Sequence, residues 1–505
     1  MSDILLLDDI SSYSSSTSIK LFDTLSNQEC VISEMQSERV QLYVCGPTVY
    51  DDAHLGHART YIMNDMITKV IRQTGANFDA IMNITDVDDK IINRTREVYG
   101  TGEKHNELSQ KFTQRFLEDM VRLKVELPET IVKVTDNINE IIKYIEKLMK
   151  DGFAYVELNS VEGKGKSIYF DTEKFKEINE TDYIFEKAKN QGDFDDKHIS
   201  SKKKSQDFAL WKGVIEDDIG WESPWGKGRP GWHTECAAFI NMYRDYSDFT
   251  RMVHTGGIDL CFPHHENEMK QLVTNLLMEE PYFIHIGHLH INGQKMAKSL
   301  KNFTTIRDFL SDDEGRKVAQ LRYMFLQVHY SEPMDFSVEH FEQAQRQLHL
   351  LHNIVQTINI AIEKNMYNAN SYDIKQEVPD LPDTTAMNDN FKFNIVLKQL
   401  HDYGAIVFKY IEETKDPNMT YLKQVKMAYD KIINMFGLSY DIKNENNDDM
   451  VSLITKIRDD IRTQAKATKN KELWKLSDVI RNDMLKPLGY QLEDKPNEPS
   501  VWKKV

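Results

Sequence analysis

The chain has 505 residues, and its 63 Lys and Arg against 80 Asp and Glu give a net charge of −17. At roughly 100–200 residues per domain the length suits three or four domains, and 40% hydrophobic with 28% charged residues is an ordinary soluble globular mix. An acidic chain argues against wholesale nucleic-acid binding, although net charge hides local basic patches, and no apolar run approaches the ~18 residues of a membrane span.

The four cysteines, Cys30, Cys45, Cys236 and Cys261, lie far apart. They suggest no disulfide framework and read as reduced thiols in a cytosolic setting, where metal or catalytic roles are commoner than bridges. Residues 1–20 are Ser-rich and are expected to form a loose leader. The start "MSDILLLDDISSYSSS" has only a short apolar run flanked by acids, which is neither a signal nor a transit peptide.

"VQLYVCGPTVY" predicts a buried strand ending at Gly46-Pro47, and "HARTYIMNDMITKVIRQTG" a helix stopped by Gly75. "NFDAIMNITDVDDKII" repeats the pattern of strand, polar turn and helix. Such alternation implies a parallel sheet of nucleotide-binding type. Residues 105–150 read as helical. From about 155 to 206 the chain turns polar and charged, as an insertion would. Apolar patterning resumes at "DFALWKG", followed by the Gly/Pro/Trp-rich loop "WESPWGKGRPGW" and a helix over "TECAAFINMY". "DFTRMVHTGGIDLCFPHHENEMKQLVTNLL" reads strand, Gly-rich turn, helix. Beyond about 335 two long stretches carry helical spacing, joined by the linker "NMYNANSYDIKQEVPDLPDTT", and a helical bundle with a short C-terminal tail is expected.

Two stretches carry the letters of a phosphate-binding signature. A helix N-terminus suits phosphate because its free N–H groups and dipole face the anion. In "IHIGHLHI" (284–291) isoleucines and histidines alternate, Gly287 breaks the phase as a bulge would, and Asn292-Gly293 signals a hairpin. No helix opens there. In "YVCGPTVYDDAHLGHARTYI" a strand ends, a loop follows, and His54-Leu55-Gly56-His57 opens a helix. His54 and His57 are three apart and share a face, Gly56 leaves room for adenine or ribose, and imidazole N–H groups can donate to phosphate oxygens. Downstream, "GQKMAKSLKNF" places Lys295 and Lys298 in a polar loop suited to clamping a triphosphate.

H-x-G-H paired with a K-M-S-K-S-like loop marks class I aminoacyl-tRNA synthetases. "YVCGPTVYDDAHLGHARTY", "NITDVDDKII", "DFALWK", "ESPWGKGRPGWHTEC", "HTGGIDLCFPHHENE", "LRYMFLQVHYSEPMDFS" and "SDVIRNDMLKPLGYQLED", in that order, resemble the cysteinyl-tRNA synthetases from about residue 18 to the end. The resemblance implies an α/β fold: a Rossmann-type parallel-sheet catalytic domain with an insertion, then a mostly α-helical bundle that binds the anticodon. The expected divisions are a leader over 1–20, a split catalytic domain over 21–135 and 207–285, and an insertion over 136–206. A lysine-loop and stem-contact region follows over 286–335, then the anticodon-binding bundle over 336–445 and a basic segment over 446–505.

Cys45, Cys236, a histidine and Glu268 make a sensible zinc set. His264 stands i, i+4 from Glu268 and His265 i, i+3, and spacing does not choose between them. The resemblance implies Cys45, Cys236, His264 and Glu268, with Cys261 a core cysteine and Cys30 unassigned. His285, His288 and His290 are a rival cluster by letters only. Thiolate binds zinc far better than hydroxyl does, which would separate cysteine from serine where shape alone separates poorly. The resemblance further implies that Trp232, Asp259 and Thr85, with Cys45, line the amino-acid pocket. It implies catalysis by His54, His57, Lys295 and Lys298, Mg²⁺ with ATP, and L-cysteine and tRNA-Cys as partners. A cytoplasmic monomer away from membranes is expected.

Residues 451–505 hold 12 Lys and Arg against 8 Asp and Glu, and "SKKKS" (201–205) is a second basic spot, so tRNA could meet local patches. Trp474 and Trp502 are candidates for stacking on bases. Two departures stand out. Ala297 replaces the family's serine in the lysine loop, and "MNDNFKFNIVL" replaces a more acidic run. The competing functions are a ligase that passes activated cysteine to a small amine, and an inactive zinc-stabilised RNA-binding protein. The long helical half argues against the first, and the retained histidines and lysines against the second.

Overall fold

The computed structural model describes residues 18–32, 39–178, 201–244, 250–274, 281–295, 303–311, 314–372, 377–440, 445–486, 490–494 and 500–504. Residues 1–17 of the expected leader, Ala297 and Lys298, and most of the charged run after residue 178 lie outside these residues, whereas Ile19 and Lys20, placed in the leader by sequence, belong to the first strand. The chain forms two compact units, residues 1–439 and 440–505.

The first unit opens with an antiparallel hairpin, β1 (Ile19–Asp23) and β2 (Gln28–Ile32). A parallel sheet then begins with β3 (Arg39–Val44), α1 (Leu55–Gln73), β4 (Asn77–Ile84), α2 (Asp89–Tyr99), α3 (His105–Arg122) and β5 (Thr130–Lys133). β5 interrupts the span expected to be helical from 105 to 150. "TIVK" is β-branched and short, too small a patch to break a helical period over a 46-residue window. After α4 (Ile138–Lys150) comes an antiparallel sheet of β6 (Ala154–Val156), β7 (Ile168–Phe170), β8 (Ala209–Gly213) and β9 (Gly228–Pro230), with α5 (Thr172–Ile178) between β7 and β8. This sheet spans residue 206, and its last two strands lie beyond it.

α6 (Trp232–Tyr243) leads to β10 (Thr250–Gly257), α7 (Glu266–Val273) and β11 (Tyr282–Ile286). The five parallel strands run β11-β10-β3-β4-β5. β3 is central, and five of its six residues, Val40 to Val44, are buried, as a strand covered on both faces requires. Strand order reverses between β3 and β10, and ligands of such sheets bind at that point, beyond the carboxyl ends.

β12 (Leu289–Ile291) and β13 (Gln294–Lys295) form a hairpin in which Asn292 (φ 50°) and Gly293 (φ 73°) make the two-residue turn. The bulge expected at Gly287 is instead a transfer between sheets. β11 stays in the parallel sheet while β12 pairs with β14 (Met334–Phe336), and a side chain at Gly287 would meet the Glu332 carbonyl at 2.3 Å. α8 (Ile306–Phe309) and α9 (Glu314–Leu326) precede β14, and α10 (Val338–Asn365), α11 (Phe393–Glu413) and α12 (Met419–Met435) build the expected bundle.

Arg322 of α9 ties these parts together. Its fully buried guanidinium contacts Asp65 of α1 (2.6 Å) and donates to the carbonyls of Leu123 (3.1 Å), Lys124 (3.2 Å) and Phe436 (2.6 Å). One cation thereby joins the parallel sheet's first helix to the end of the bundle.

The second unit holds α13 (Glu445–Thr468), α14 (Lys471–Val479) and the hairpin β15 (Tyr490–Glu493) with β16 (Val501–Lys504). Val451, Ile480, Leu485, Tyr490 and Leu492 form its core, with Trp502 packed edge-on to Tyr490. Buried Arg458 holds Asp494 through both terminal nitrogens, at 2.7 and 2.8 Å.

Replacing Arg322 with Ala removes the buried cation from Asp65, which keeps only Lys69 (3.0 Å) and the Glu126 N–H (3.1 Å), and leaves three carbonyls without that donor. Unfolding of Arg322→Ala in urea, followed by circular dichroism, is expected to show a loss of about 3–5 kcal/mol.

Candidate active site and metal centre

The cysteines at the switch point come from two distant segments. Cys45 follows β3 directly and its N–H donates to the Thr255 carbonyl of β10 (3.0 Å), while Cys236 lies in the second turn of α6. Their Sγ atoms are 3.9 Å apart. Cys236 Sγ lies 3.6 Å from His264 Nε2, and His264 Nε2 lies 2.8 Å from Glu268 Oε1. These four residues are buried, and their donor atoms all fall within 4.8 Å of one another. Sulfurs at about 2.3 Å and nitrogen at about 2.0 Å from a tetrahedral ion would stand about 3.8 Å (S–S) and 3.6 Å (S–N) apart. The thiols and His264 therefore already hold the separations a metal ion needs. Glu268 Oε1 has no hydrogen bond of acceptable direction despite its closeness to His264.

A second quartet overlaps the first: Cys45, His254, His265 and Glu268. His254 Nε2 lies 2.8 Å from Glu268 Oε2, and His265 Nε2 lies 3.2 Å from Cys45 Sγ. The tautomer of His265 follows from its neighbours. Thr24 donates its hydroxyl to the Phe283 carbonyl (2.7 Å) and so accepts from His285 Nδ1 (2.6 Å). His285 Nε2 then accepts from His265 Nδ1 (2.7 Å), leaving His265 Nε2 as a lone pair facing Cys45. His285, the first histidine of the decoy "HIGH", thus serves the cluster from outside it.

The charges are distributed accordingly. Burial opposes ionisation of both His264 and Glu268, but each stabilises the other, which raises His264 to about 10 and lowers Glu268 to about 2. Burial pushes the Cys45 thiol well up. It also raises Cys236, but hydrogen bonds from Cys45 and His264 outweigh it and bring Cys236 down to about 6.

Trp232 lies face to face with His264, with ring centroids 4.1 Å apart, and Lys90 Nζ sits 5.5 Å over the indole. The Thr85 hydroxyl donates to Glu235 Oε2 (2.8 Å), the buried neighbour of Cys236, which sequence reasoning missed because the contact spans 150 residues. Asp259 is exposed at the rim, its carboxylate folded over Gly257. Cys261 is buried in the core, and Cys30 lies on β2.

His54 and His57 build the start of α1. The His54 N–H donates to His57 Nδ1 (3.2 Å) and the His57 N–H to His54 Nδ1 (3.3 Å), a capping box made of two imidazoles stacked at 3.8 Å. Because both Nδ1 atoms accept, the neutral rings carry their protons on Nε2, and burial holds His57 at about 4. A side chain on Gly56 would collide with the His54 ring at 2.9 Å. The segment after the lysine loop pairs with this turn: Leu55 N–H donates to the Thr304 carbonyl (3.2 Å), Ile306 N–H to the Ala53 carbonyl (2.9 Å), and Phe303 stands edge-on to His54. The sequence offered no signal for this pairing. The backbone of Lys295 belongs to β13; its side chain and all of Lys298 lie outside the described residues.

Two of the three lysines of the basic spot at 201–205 are paired with acids. Lys202 and Lys203 lie over Tyr169 and Tyr155, Lys203 also pairs with Asp171 (2.8 Å), and Lys204 with Glu173 (2.9 Å). In the second unit Trp474 is exposed and Trp502 is packed. Among the described residues no helix is long and apolar enough to cross a membrane.

This fold is the class I aminoacyl-tRNA synthetase fold. It matches Mycobacterium tuberculosis methionyl-tRNA synthetase in complex with methionyl-adenylate at a TM-score of 0.58 and 14% identity, over 79% of this chain and 90% of that one. Thermus thermophilus arginyl-tRNA synthetase follows at 0.53 and 10% identity, over 79% and 82%. The family model for class I (C) tRNA synthetase catalytic domains matches residues 31–346. The cysteine--tRNA ligase of Methanococcus maripaludis (strain C7 / ATCC BAA-1331) is 38% identical over 96% of this chain and 99% of its own. That of Thermococcus gammatolerans is 36% identical over the same shares. The chain belongs to the cysteinyl-tRNA synthetase family.

Cobalt(II) titration separates the two quartets. If the metal takes both thiols, Cys236→Ser is expected to remove roughly half of the sulfur-to-cobalt charge-transfer absorbance, and His265→Ala to leave it intact. The reverse pattern would place the ion in the His254–His265 quartet.

Proposed function

We propose that this protein activates L-cysteine with ATP and transfers it to the 3′ end of tRNA-Cys. The observation that carries the reading is the buried Cys45–Cys236–His264–Glu268 cluster at the switch point of a sheet that also presents the His54–His57 pair. Those four residues would hold one Zn²⁺, which when bound supplies a soft Lewis acid that prefers a thiolate to a hydroxyl. Serine and cysteine differ by one atom, so a pocket of the right shape admits both and the metal's preference does the sorting.

The chain's own groups handle the rest. Trp232, held against His264, walls the amino-acid pocket and excludes bulk. Asp259, exposed at the rim, pairs with the substrate ammonium. Thr85 contributes through Glu235, which it holds beside Cys236. A substrate carboxylate oxygen attacks the α-phosphorus of ATP, the bond to pyrophosphate breaks, and cysteinyl-adenylate forms. His54 and His57 donate from Nε2–H to phosphate oxygens as charge develops there, and Gly56 keeps the approach to the helix start open. Lys295 and Lys298 take the charge of the leaving pyrophosphate, and Mg²⁺ enters with ATP. The 2′-hydroxyl of the terminal adenosine then attacks the carbonyl carbon, AMP leaves, and its phosphate oxygen carries the charge away.

The catalytic parts are assigned to 21–135 and 207–285, and the anticodon end of the tRNA to the bundle over 336–445 and the basic segment over 446–505. The positive balance of 451–505 and the exposed Trp474 among Lys471 and Lys475 support that assignment. A monomer with one zinc in the cytoplasm completes the proposal.

ATP–pyrophosphate exchange tests it. Exchange is expected with cysteine and not with serine, is lost on chelation, and returns with zinc. A folded, zinc-loaded protein that does not exchange overturns the reading. The pH profile carries a second expectation. Since His57 is held near 4, its ring acts as a neutral donor, and its titration leaves kcat for exchange level between about pH 6 and 8. A rate that falls as pH rises through that window would mean that an imidazolium is required.

A further inference from the structure

Helix α3 lies behind the histidine motif and touches both sides of it. Arg115 spans the carboxylate of Asp52, with its Nε on Oδ1 and its second terminal nitrogen 2.9 Å from Oδ2. Asp52 stands two residues before His54. One turn further along α3, Arg307 of α8 is caught three times. A terminal nitrogen donates to Glu118 Oε2 (2.6 Å) and to the carbonyl of Arg115 itself (2.9 Å), and Nε lies 3.1 Å from Asp119 Oδ1. In the last turn, Arg122 grips Glu314 through two nitrogens (3.1 and 3.0 Å) and reaches the Leu310 carbonyl (3.1 Å).

The residues leading into α8 are those that pair with the histidine turn. Thr304 accepts from Leu55, and Ile306 donates to Ala53. Thr305 caps α8 by accepting from the Asp308 N–H (3.0 Å). The contacts therefore close a ring: Asp52 to Arg115, Arg115 to Arg307, Arg307 through α8 to Thr304 and Ile306, and from these back to the residues flanking His54. Ordinary exposed ion pairs contribute little. This ring differs because Asp119 is fully buried and Arg307 is only 22% exposed. Burial pushes the Asp119 carboxyl up to about 6 against the pull of Arg307 and Arg122.

We propose that Arg115 and Arg307 are positioning residues for amino-acid activation, which through α3 hold the His54–His57 donor pair in register from both sides. The proposal rests on the reading that those histidines face the nucleotide phosphates. Donors misplaced by about 1 Å cost on the order of 100-fold in rate, which sets the scale of the effect.

The test is steady-state exchange with Arg307→Gln, Arg307→Lys, Arg115→Gln, Asp52→Asn and the double variant Arg115→Gln/Arg307→Gln, with thermal unfolding recorded for each. Arg307→Gln is expected to lower kcat by ~10- to 100-fold with KM for cysteine unchanged, and Arg307→Lys to recover part of the loss. If the ring acts as one unit, the double variant loses no more than the worse single variant. An active wild-type enzyme whose Arg307→Gln variant keeps kcat overturns the proposal and leaves the activation reading standing, as do single losses that multiply in the double variant. A wild type that does not exchange overturns the activation reading instead. Should Arg307→Gln fail to fold, Asp52→Asn, in a partly exposed loop, decides on the same readouts: reduced kcat supports the ring and unchanged kcat overturns it.

Discussion

The parallel pairing of β3 with β10 is the constraint on which the site depends. It joins Arg39–Val44 to Thr250–Thr255 and continues through the Cys45 N–H to the Thr255 carbonyl. Cys45 ends one strand. The other strand contributes His254 and runs out into Gly256 and Gly257, next to His265 and Asp259. β11, paired on the far side of β10, adds His285. α6 and α7 pack together: α6 delivers Cys236, the helical turn Cys261–His265 before α7 delivers His264, and α7 delivers Glu268. Parallel strands place all their carboxyl ends on one side, so donors from four separate segments converge without any of them being neighbours in sequence. The reversal of strand order between β3 and β10 then opens the crevice that a ligand needs.

Much of this was legible in the chain, for reasons that differ by element. The β3–α1 unit announced itself because an apolar run, a Gly-Pro stop and a helical period follow one another in a short span. Context likewise separated His54-Leu55-Gly56-His57 from the identical-looking letters at 285–288: only the first opens a helix. What the sequence could not carry is any contact whose partners are far apart. The relay from Thr24 through His285 to His265, the Thr85–Glu235 hydrogen bond and the pairing of Thr304 with Leu55 all join distant segments. Nor could spacing decide between His264 and His265, because the fold places both beside a thiol. "TIVK" was hidden by its shortness, and the lysines of "SKKKS" looked free only because their partners at 155–173 are invisible to a local reading.

The metal centre also explains why so many histidines are tolerated in a buried place. An apolar interior opposes charge, and unpaired polar atoms there cost free energy. Here each ring has a partner that fixes its tautomer or its charge: His264 on Glu268, His254 on the other oxygen of that carboxylate, His265 on His285. The result is a cluster whose rings are oriented by their neighbours. The same logic operates at His54 and His57, where reciprocal backbone donation to Nδ1 sets both protons on Nε2. In both places the protein spends backbone and neighbouring hydroxyl groups to decide which nitrogen is available.

The long separation between β3 and β10 has a consequence for how the chain is made. At about 5–20 residues per second, a ribosome needs roughly 10–40 s to go from Cys45 to Thr255. During that interval β3, β4 and β5 can align, but the edge of β3 that belongs to β10 stays open, and Cys45 waits without Cys236. An unpaired central edge this apolar is a template for the wrong strand. The antiparallel sheet β6–β9 is synthesised within that same interval and completes itself from contiguous chain, so the nascent protein gains a folded module before the strand that closes its sheet exists.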